Sequence, residues 1–287
     1  MRTADVLAPA KVNLTLHVTG RRADGYHLID SLVAFAPVAD RLTLTVADEA
    51  SLTVTGPEAG GVPTDGSNLV RRAAEAVTDR PVAIRLEKRL PAAAGIGGGS
   101  SDAAAVVRGL QALGLAGAGM ERLAALGADV PMCLSPTPVR ARGIGERLTF
   151  VALAPLPAVL ANPRVPVPTA EVFRALASPD GTPMPETLPD LTDRETAIDW
   201  LAAQRNDLEA PARAVAPAVG EVLTALARLP GAGLVRMSGS GATCFALFDD
   251  EAAAEAAAGL LAAERPGWWI AAGALGNQSG AAAPVLS

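Results

Sequence analysis

The sequence has few of the residues that mark disulfide-stapled, zinc-bound or membrane-inserted proteins. Its 287 residues include two cysteines, Cys133 and Cys244, and neither lies in a cluster with metal-ligand spacing, which argues against a disulfide framework or a zinc site. The net charge of -6 gives no reason to expect an extended nucleic-acid-binding surface. Lys11 and Asn13 interrupt the apolar N-terminal residues before a signal-peptide core could form, and the long uncharged stretch from Trp268 is too polar and glycine-rich to span a bilayer. We therefore expect a cytoplasmic protein that binds neither nucleic acid nor membrane.

The composition is that of a folded chain with more than one domain. Half of the residues are apolar and 19% are charged, so the chain has enough core-forming material to exclude wholesale disorder. Nine of the 23 prolines lie between residues 155 and 189, which predicts a loop-rich crossover. We place a domain boundary there and predict domains at 1–155 and 156–287.

Local patterns predict mixed α and β structure in both halves. Alternation of apolar and polar residues with β-branched content predicts strands at 43–46, 52–54 and 82–86. Helical composition is found at 68–78, at 120–126, and in the second half at 194–203, 218–229 and 250–263, with a strand pair around Gly239. The last dozen residues are rich in Gly, Ala and Ser and predict a weakly ordered tail.

Lysine is as rare as cysteine: the chain has only Lys11 and Lys88, and 22 of the 24 basic residues are arginine. Lysine places a compact ammonium where arginine imposes a planar fork, so a lysine retained against this bias suggests a specific role. Lys11 also shares one N-terminal stretch with Asn13, His17, Tyr26 and His27, which include both histidines and the one tyrosine. Chance could place two of these rare residues together, but the whole cluster favours a functional site.

A glycine-rich loop lies between a predicted strand and a predicted helix. Glycines at 95, 97, 98 and 99 let the backbone turn tightly and approach a ligand, and the helix that follows presents free N–H groups to an anion. No Lys-Ser/Thr follows the last glycine, so the loop is not a P-loop, and Ser100 replaces the third glycine of the dinucleotide fingerprint. A structural turn capped by Ser100 or Ser101 is the alternative. Four glycines in five residues exceed what a cap requires and favour phosphate binding.

Residues 91–101 resemble the second motif of the galacto-, homoserine, mevalonate and phosphomevalonate kinase (GHMP) superfamily. Further segments are similar, in the same order, to a branch of that superfamily whose small-molecule substrate carries a cytidine diphosphate; they lie at 9–14, 19–27, 127–131, 206–209 and 238–242. The resemblance implies an α+β, two-domain GHMP kinase fold, with an N-terminal ribosomal-protein-S5-domain-2-like nucleotide-binding domain and a C-terminal ferredoxin-like α/β domain. It also implies ATP and Mg²⁺ as cofactors and a monomer or weak homodimer. One departure is that Ala92, Ala93 and Ala94 stand where the family usually has glycines.

The resemblance also implies roles for individual residues. Lys11 and Asp129 would form the catalytic pair. The ATP-binding residues would be Lys88, Pro91, Ala92, Ala93, Ala94, Gly95, Ile96, Gly97, Gly98, Gly99, Ser100 and Ser101. The substrate-binding residues would be Asn13, Tyr26, His27, Thr169, Phe173, Gly239 and Ser240.

Alternatives stay open for several of these positions. Asp129 could be a helix N-cap ahead of Pro131, Lys88 a surface lysine at a strand end, and Asp102 either a Mg²⁺ contact or only a favourable first-turn acid. The turn at 239–241 could be an ordinary hairpin turn. As whole functions, the alternatives are another GHMP kinase, such as a mevalonate or homoserine kinase, and a non-catalytic nucleotide sensor on the same fold. We assign His17 and both cysteines to structure.

Overall fold

The computed structural model describes residues 2–116, 123 and 125–287, and most of the helix predicted at 120–126 lies outside the described residues. In the described part of the chain, the larger sheet has eight strands: β1 (Thr3–Asn13), β2 (His17–Arg21), β3 (His27–Val46), β4 (Ser51–Thr55), β5 (Val82–Glu87), β6 (Val139–Gly143), β7 (Arg147–Phe150) and β12 (Val285–Leu286). The main path runs β12-β1-β3-β5-β4, and the long strand β3 also pairs with β2 and β6 through its first residues. The β4–β5 pair is parallel and the other pairs are antiparallel. Strand β1 of this sheet contains Lys11, and strand β5 leads into the glycine loop.

Among the described residues, three helices accompany this sheet: α1 (Leu69–Val77), α2 (Gly98–Ala112) and α3 (Val130–Cys133). Asn68 caps α1 by accepting a hydrogen bond from the backbone N–H of Val70 at 2.8 Å. Helix α2 lies close to the sheet at Gly109, where an added Cβ would meet the Leu44 side chain at 2.2 Å. The absence of a side chain at Gly109 therefore lets the helix that follows the glycine loop pack directly on β1 and β3.

The smaller sheet has four antiparallel strands among the described residues: β8 (Leu156–Asn162), β9 (Val235–Met237), β10 (Cys244–Leu247) and β11 (Trp269–Leu275), in the order β11-β8-β10-β9. Five helices belong to this half: α4 (Thr169–Arg174), α5 (Arg194–Ala202), α6 (Glu209–Val215), α7 (Ala218–Ala227) and α8 (Glu251–Glu264). The buried faces of α4, α6, α7 and α8 share one apolar core with the sheet, whereas Ala197 and Leu201 of α5 belong to a separate core. A further core joins the halves, because β1 and the glycine loop pack with residues of β8 and β10.

Most of the predicted elements are confirmed, and the predicted tail is wrong. The strands at 52–54 and 82–86, the helix at 68–78, the helices predicted at 194–203, 218–229 and 250–263 and the strand pair around Gly239 are present within one or two residues, whereas the strand predicted at 43–46 is only the end of the longer β3. The end of the chain is ordered instead of loose, because Thr3 and Ser287 exchange two backbone hydrogen bonds of 3.0 Å as β12 pairs with β1. Strand β1 would otherwise leave a row of unpaired backbone groups at the sheet edge. The boundary near residue 155 stays a prediction.

No helix among the described residues combines the length and the apolarity that crossing a membrane requires.

Candidate active site

The glycine loop occupies residues 91–97, between the end of β5 and the start of α2. Gly97 is the N-cap of α2 with φ +63°, and Gly95 has φ +73°. A Cβ at Gly95 would lie 2.6 Å from the carbonyl oxygen of Ser238, so only glycine allows the two backbones to approach this closely. Ala93 also has a positive φ, +50°, at one of the positions where alanine replaces a family glycine. The loop therefore keeps its left-handed turn at Ala93 with some backbone strain.

The start of α2 presents the groups that suit a phosphate. A helix leaves its first N–H groups without intrahelical acceptors, and here these belong to Gly98, Gly99 and Ser100. The Ser100 side chain lines a cavity together with Asp129. Ser101 does not share this surface: its buried hydroxyl donates to the Pro9 carbonyl at 2.6 Å, and its N–H donates to Gly97 at 2.8 Å. The structure thus brings Ser100, and not the side chain of Ser101, to the loop.

Of the remaining residues at 91–99, some are buried and others are exposed to solvent. Pro91, Ala94 and Ile96 are buried, while Ala92 and Gly99 are exposed. The Ile96 carbonyl accepts a hydrogen bond from the Lys11 N–H at 2.9 Å. This bond fixes the loop against β1.

Lys88 lies under the loop and is engaged by two acids. Its ammonium donates to Asp40 and, at 2.8 Å, to Asp102, and all three side chains are buried. Asp40 also accepts hydrogen bonds from the N–H groups of Arg89 and Leu90, which lead into the loop. The surface-lysine alternative is therefore wrong. Lys88 joins the strand that enters the loop to the helix that leaves it.

Asp102 is not open to a metal or a nucleotide. It is 2% exposed, and its Oδ2 accepts from Lys88. Burial, and then the neighbouring carboxylate of Asp40, raise the pKa of Asp102 well above its ordinary value, although the Lys88 ammonium opposes this. The Mg²⁺-contact alternative for Asp102 does not fit this position.

Lys11 and Asp129 form an ion pair beside the loop. The Lys11 ammonium donates to the Asp129 carboxylate at 2.9 Å; the lysine side chain is 8% exposed and the aspartate side chain 36%. Asp129 does occupy the N-cap position of α3, but its side chain accepts no hydrogen bond from that helix. Its carboxylate is directed to Lys11 instead. A Cβ at Gly97 would lie 3.2 Å from the Lys11 Cβ, so the lysine stem runs against the glycine loop.

Two cavities meet at Asp129. The larger, about 870 Å³, is lined among others by Tyr26, His27, Ser100, Asp129, Thr169 and Phe173. The smaller, about 270 Å³, is lined among others by Lys11, Asn13, Ala93, Gly95, Gly97, Asp129, Thr169, Phe173, Gly239 and Ser240. Another cavity, of about 450 Å³, lies between β4 and α1, away from these residues. The ion pair therefore stands where a loop suited to phosphate meets a larger pocket suited to an organic group.

Asn13 is one of the residues that line the smaller cavity. Its amide nitrogen donates to Ser31 at 2.7 Å, whereas its buried Oδ1 has no hydrogen-bond partner among the described residues. Buried amide oxygens are nearly always paired, so the unpaired Oδ1 of a residue that lines a cavity is a candidate acceptor for a ligand hydroxyl or amine.

The larger cavity has an aromatic side. The rings of His27 and Phe173 stack, and Tyr26 beside them is 62% exposed. Burial lowers the pKa of His27, and Arg21 lowers it further. Such rings suit a planar base, and the neutral imidazole has one donor and one acceptor for its edge.

The second half of the chain contributes the turn between β9 and β10. The Ser238 hydroxyl donates to the Gly95 carbonyl and accepts from the Asn13 N–H, both at 3.0 Å. The Thr243 N–H donates to the Ala94 carbonyl at 3.1 Å. The turn at 239–241 is thus built into the glycine loop and is more than a hairpin connection.

Several residues of the site had no role in the sequence interpretation. Ser238 and Asn206 lie within segments that carried the resemblance, so the segments were the available signal. Asp40 lies in the middle of β3, where nothing in the local sequence distinguishes it from a solvent-facing residue. His17, Cys133 and Cys244 are buried, which agrees with the structural roles assigned to them.

Comparison with known proteins adds the family. Residues 68–136 match the family described as GHMP kinases N terminal domain, and residues 187–264 match GHMP kinases C terminal. The 4-diphosphocytidyl-2-C-methyl-D-erythritol kinase of Dinoroseobacter shibae is 56% identical over 265 residues, covering 92% of this chain and 92% of that protein. The kinase of the same name from Cereibacter sphaeroides is 54% identical, covering 93% and 97%. This chain belongs to the 4-diphosphocytidyl-2-C-methyl-D-erythritol kinase family.

Solved structures agree with membership of this kinase family. A crystal structure of 4-(cytidine 5'-diphospho)-2C-methyl-D-erythritol kinase is 41% identical, with a TM-score of 0.77, covering 95% of this chain and 99% of that one. The homoserine kinase of Cytophaga hutchinsonii is 20% identical with a TM-score of 0.69, covering 99% and 97%, and this likeness shows the fold alone. The predicted α+β, two-domain GHMP kinase fold is confirmed.

Proposed function

We propose that the protein transfers the γ-phosphoryl group of ATP to the 2-hydroxyl of 4-diphosphocytidyl-2-C-methyl-D-erythritol, giving the 2-phosphate and ADP. In the non-mevalonate (methylerythritol phosphate) pathway this step leads toward isopentenyl diphosphate. The observation that carries the proposal is the position of the Lys11–Asp129 pair, between the glycine loop and the aromatic cavity. The identity of 56% and 54% to kinases of that name supports the same substrate.

Phosphoryl transfer needs a base for the attacking hydroxyl and positive charge near the migrating group. Asp129 accepts the hydroxyl proton as the oxygen attacks the γ-phosphorus; the new O–P bond forms, the bond to the β,γ-bridging oxygen breaks, and ADP leaves with that electron pair. Lys11 holds the carboxylate in place and brings its ammonium to the reacting groups. The low exposure of Lys11 strengthens both effects, since water screens a buried charge less.

The ATP phosphates bind at the N-terminus of α2. The free N–H groups of Gly98, Gly99 and Ser100 donate to phosphate oxygens, and the helix dipole adds favourable charge. The ATP requirement follows from membership of the GHMP kinases, and Mg²⁺ is part of the proposal. The Ser100 hydroxyl fits as a protein contact to the ion, because Mg²⁺ uses oxygen ligands and shares them with phosphates. When bound, the ion would neutralise charge on the phosphates.

The cytidylyl group binds in the larger cavity. Tyr26 and Phe173 offer ring faces to the pyrimidine, and His27 offers hydrogen bonds to its edge. The acceptor hydroxyls would lie in the smaller cavity, which is lined by Thr169, Gly239, Ser240 and Asn13, whose Oδ1 has no hydrogen-bond partner among the described residues. We expect the cytidine to lie beside the aromatic rings and the reacting hydroxyl to lie near Asp129, which lines both cavities.

A coupled assay of ADP release with a panel of hydroxyl acceptors tests the function. We expect rapid turnover of the cytidylyl substrate and little with mevalonate or homoserine. Equal turnover of either small acceptor would leave only the superfamily. Absence of ADP release with every acceptor, despite nucleotide binding, would support the non-catalytic sensor.

We also propose a cytoplasmic location, because both substrates are charged nucleotides, and a monomer or weak homodimer. Sedimentation equilibrium over a range of protein concentrations tests the oligomeric state.

A further inference from the structure

The segment at 206–209 is shared with the kinase family, yet the reaction gives it no role. Asn206 is buried, and Asp207 beside it has a side chain 19% exposed. Neither residue lines the two cavities at Asp129. Their hydrogen bonds nevertheless reach two segments that line the cytidylyl site, one carrying His27 (the His27 wall) and one carrying Phe173 (the Phe173 wall).

Asn206 holds the wall that carries Phe173. Its amide nitrogen donates to the carbonyls of Met237 and Gly239, both at 2.8 Å, and so fixes the turn after β9. The next residue of that turn, Ser240, shares a hydrogen bond of 2.8 Å with the Thr169 hydroxyl. Thr169 is the first residue of α4, which presents Phe173 one turn later.

Asp207 holds the opposite wall. Its Oδ2 accepts a hydrogen bond of 2.8 Å from the N–H of Val18, in β2. Its own N–H donates to the Leu16 carbonyl at 2.8 Å, just before the same strand. Strand β2 pairs with the first residues of β3, where Arg21 lies opposite His27.

The hydrogen bonds of these two consecutive residues therefore lead to two different segments. One is α4, which carries Phe173, and the other is the β2–β3 hairpin, which carries His27. We propose that Asn206 and Asp207 are positioning residues that set the separation of the His27 wall and the Phe173 wall for the cytidylyl substrate. This inference rests on the proposed function. The effect on ATP should be smaller, because the glycine loop is also held through Lys11 and Asp40, which Asn206 and Asp207 do not contact.

Two pairs of variants separate positioning from folding. Asn206→Asp keeps the shape and the oxygen that accepts from the Leu208 N–H, but it loses the donor to the two carbonyls. Asp207→Ala removes the acceptor for Val18, whereas Asp207→Asn retains an oxygen acceptor there. Asp250→Ala is the matched control, since it removes the acceptor of the Ala253 N–H at α8, far from the site.

Steady-state kinetics, calorimetry of each substrate and thermal melting are measured on every variant. For Asn206→Asp and Asp207→Ala we expect the KM and Kd of the cytidylyl substrate to rise about 10-fold, with the KM of ATP within about 2-fold and kcat within about 3-fold. Asp207→Asn should recover most of the affinity. Asp250→Ala should lower the melting temperature without changing either KM.

Unchanged affinity for the cytidylyl substrate in variants with a lowered melting temperature would overturn the inference, and so would equal losses for both substrates. If Asn206→Asp does not fold, the comparison of Asp207→Ala with Asp207→Asn decides the question alone. Failure of the proposed function would instead appear in the unmodified protein, as absence of turnover of the cytidylyl substrate.

Discussion

The imidazole of His27 lies over the ring of Phe173, with centroids 4.7 Å apart and planes inclined by 22°. Stacked rings have centroids from about 4.5 Å apart, so a third ring does not fit between these two. A pyrimidine that contacts the inner face of Phe173 must therefore displace His27.

Replacing His27 with Ala should weaken the cytidylyl substrate while leaving ATP unaffected. The lost contact is a polar one to the pyrimidine edge, worth about 1–3 kcal/mol, or roughly 5- to 150-fold in affinity. Calorimetry with both ligands on one preparation measures it. An equal loss for the two would mean that His27 only stabilises the β2–β3 hairpin, and base recognition would then rest on Tyr26 and Phe173.

Asp129→Asn should lower kcat by about 100- to 10,000-fold, because the amide keeps the shape of the side chain but cannot accept the hydroxyl proton. Nucleotide affinity should stay within a few-fold, since the phosphate-binding N–H groups are untouched. Single-turnover kinetics and nucleotide titration separate the two effects. Retention of most of kcat would show that the base lies elsewhere.

Ala93→Gly should stabilise the protein. Alanine at φ +50° carries a left-handed penalty of about 1–2 kcal/mol, while glycine costs roughly 0.5–1 kcal/mol of extra chain entropy, so we expect a gain of about 0.5–1 kcal/mol. Ala92 is also exposed but has no positive φ, so Ala92→Gly is the matched control and should be destabilising. Denaturant unfolding of both variants tests this, and equal effects at the two positions would remove the strain argument.

Asp102→Asn should be tolerated. An amide of the same shape still accepts a hydrogen bond from Lys88, and it removes a buried charge that the neighbouring Asp40 carboxylate disfavours. We expect the melting temperature and the KM of ATP to change little. Lys88→Met should instead cost about 3–5 kcal/mol, because it leaves the carboxylates of Asp40 and Asp102 buried without their cation. A large rise in the Mg²⁺ requirement of Asp102→Asn would restore the metal-contact interpretation.

Stability should fall as the pH drops below about 6.5, in part through His17. Burial lowers the pKa of His17 from its ordinary 6.5, against the hydrogen bond to the Thr182 carbonyl, which raises it. The unfolded chain then takes up the proton at a higher pH than the folded chain does. The His17 contribution to the free energy of unfolding is therefore complete above pH 6.5 and decreases toward the lowered pKa. His17→Asn, which keeps a donor for Thr182, should flatten the denaturant-unfolding profile between pH 5 and 7; an unchanged slope would assign the effect to other groups.

The sequence predicted the positions of helices and strands better than it predicted which distant segments and residues contact each other. Residues 68–78 carry their own cap and apolar face, so the helix was visible locally, whereas residues 285–286 gain a structure only from the unpaired edge of β1. Lys11 and Asp129 were chosen by resemblance, and nothing near either residue indicates that they meet across 118 positions. Asp40 escaped notice for the same reason, since its importance comes from Lys88, 48 residues away.

The bonds from Ser238 and Thr243 to the Gly95 and Ala94 carbonyls mean that the phosphate-binding loop is held by both halves of the chain. Nucleotide binding at that loop should therefore also stabilise strands β9 and β10. Amide hydrogen exchange should accordingly slow in the C-terminal hairpin when only ATP is added, although the nucleotide contacts the other domain. A nucleotide that tightens this turn should also affect the smaller cavity, which Gly239 and Ser240 of the same turn line, so each substrate should change the affinity of the other by the same factor.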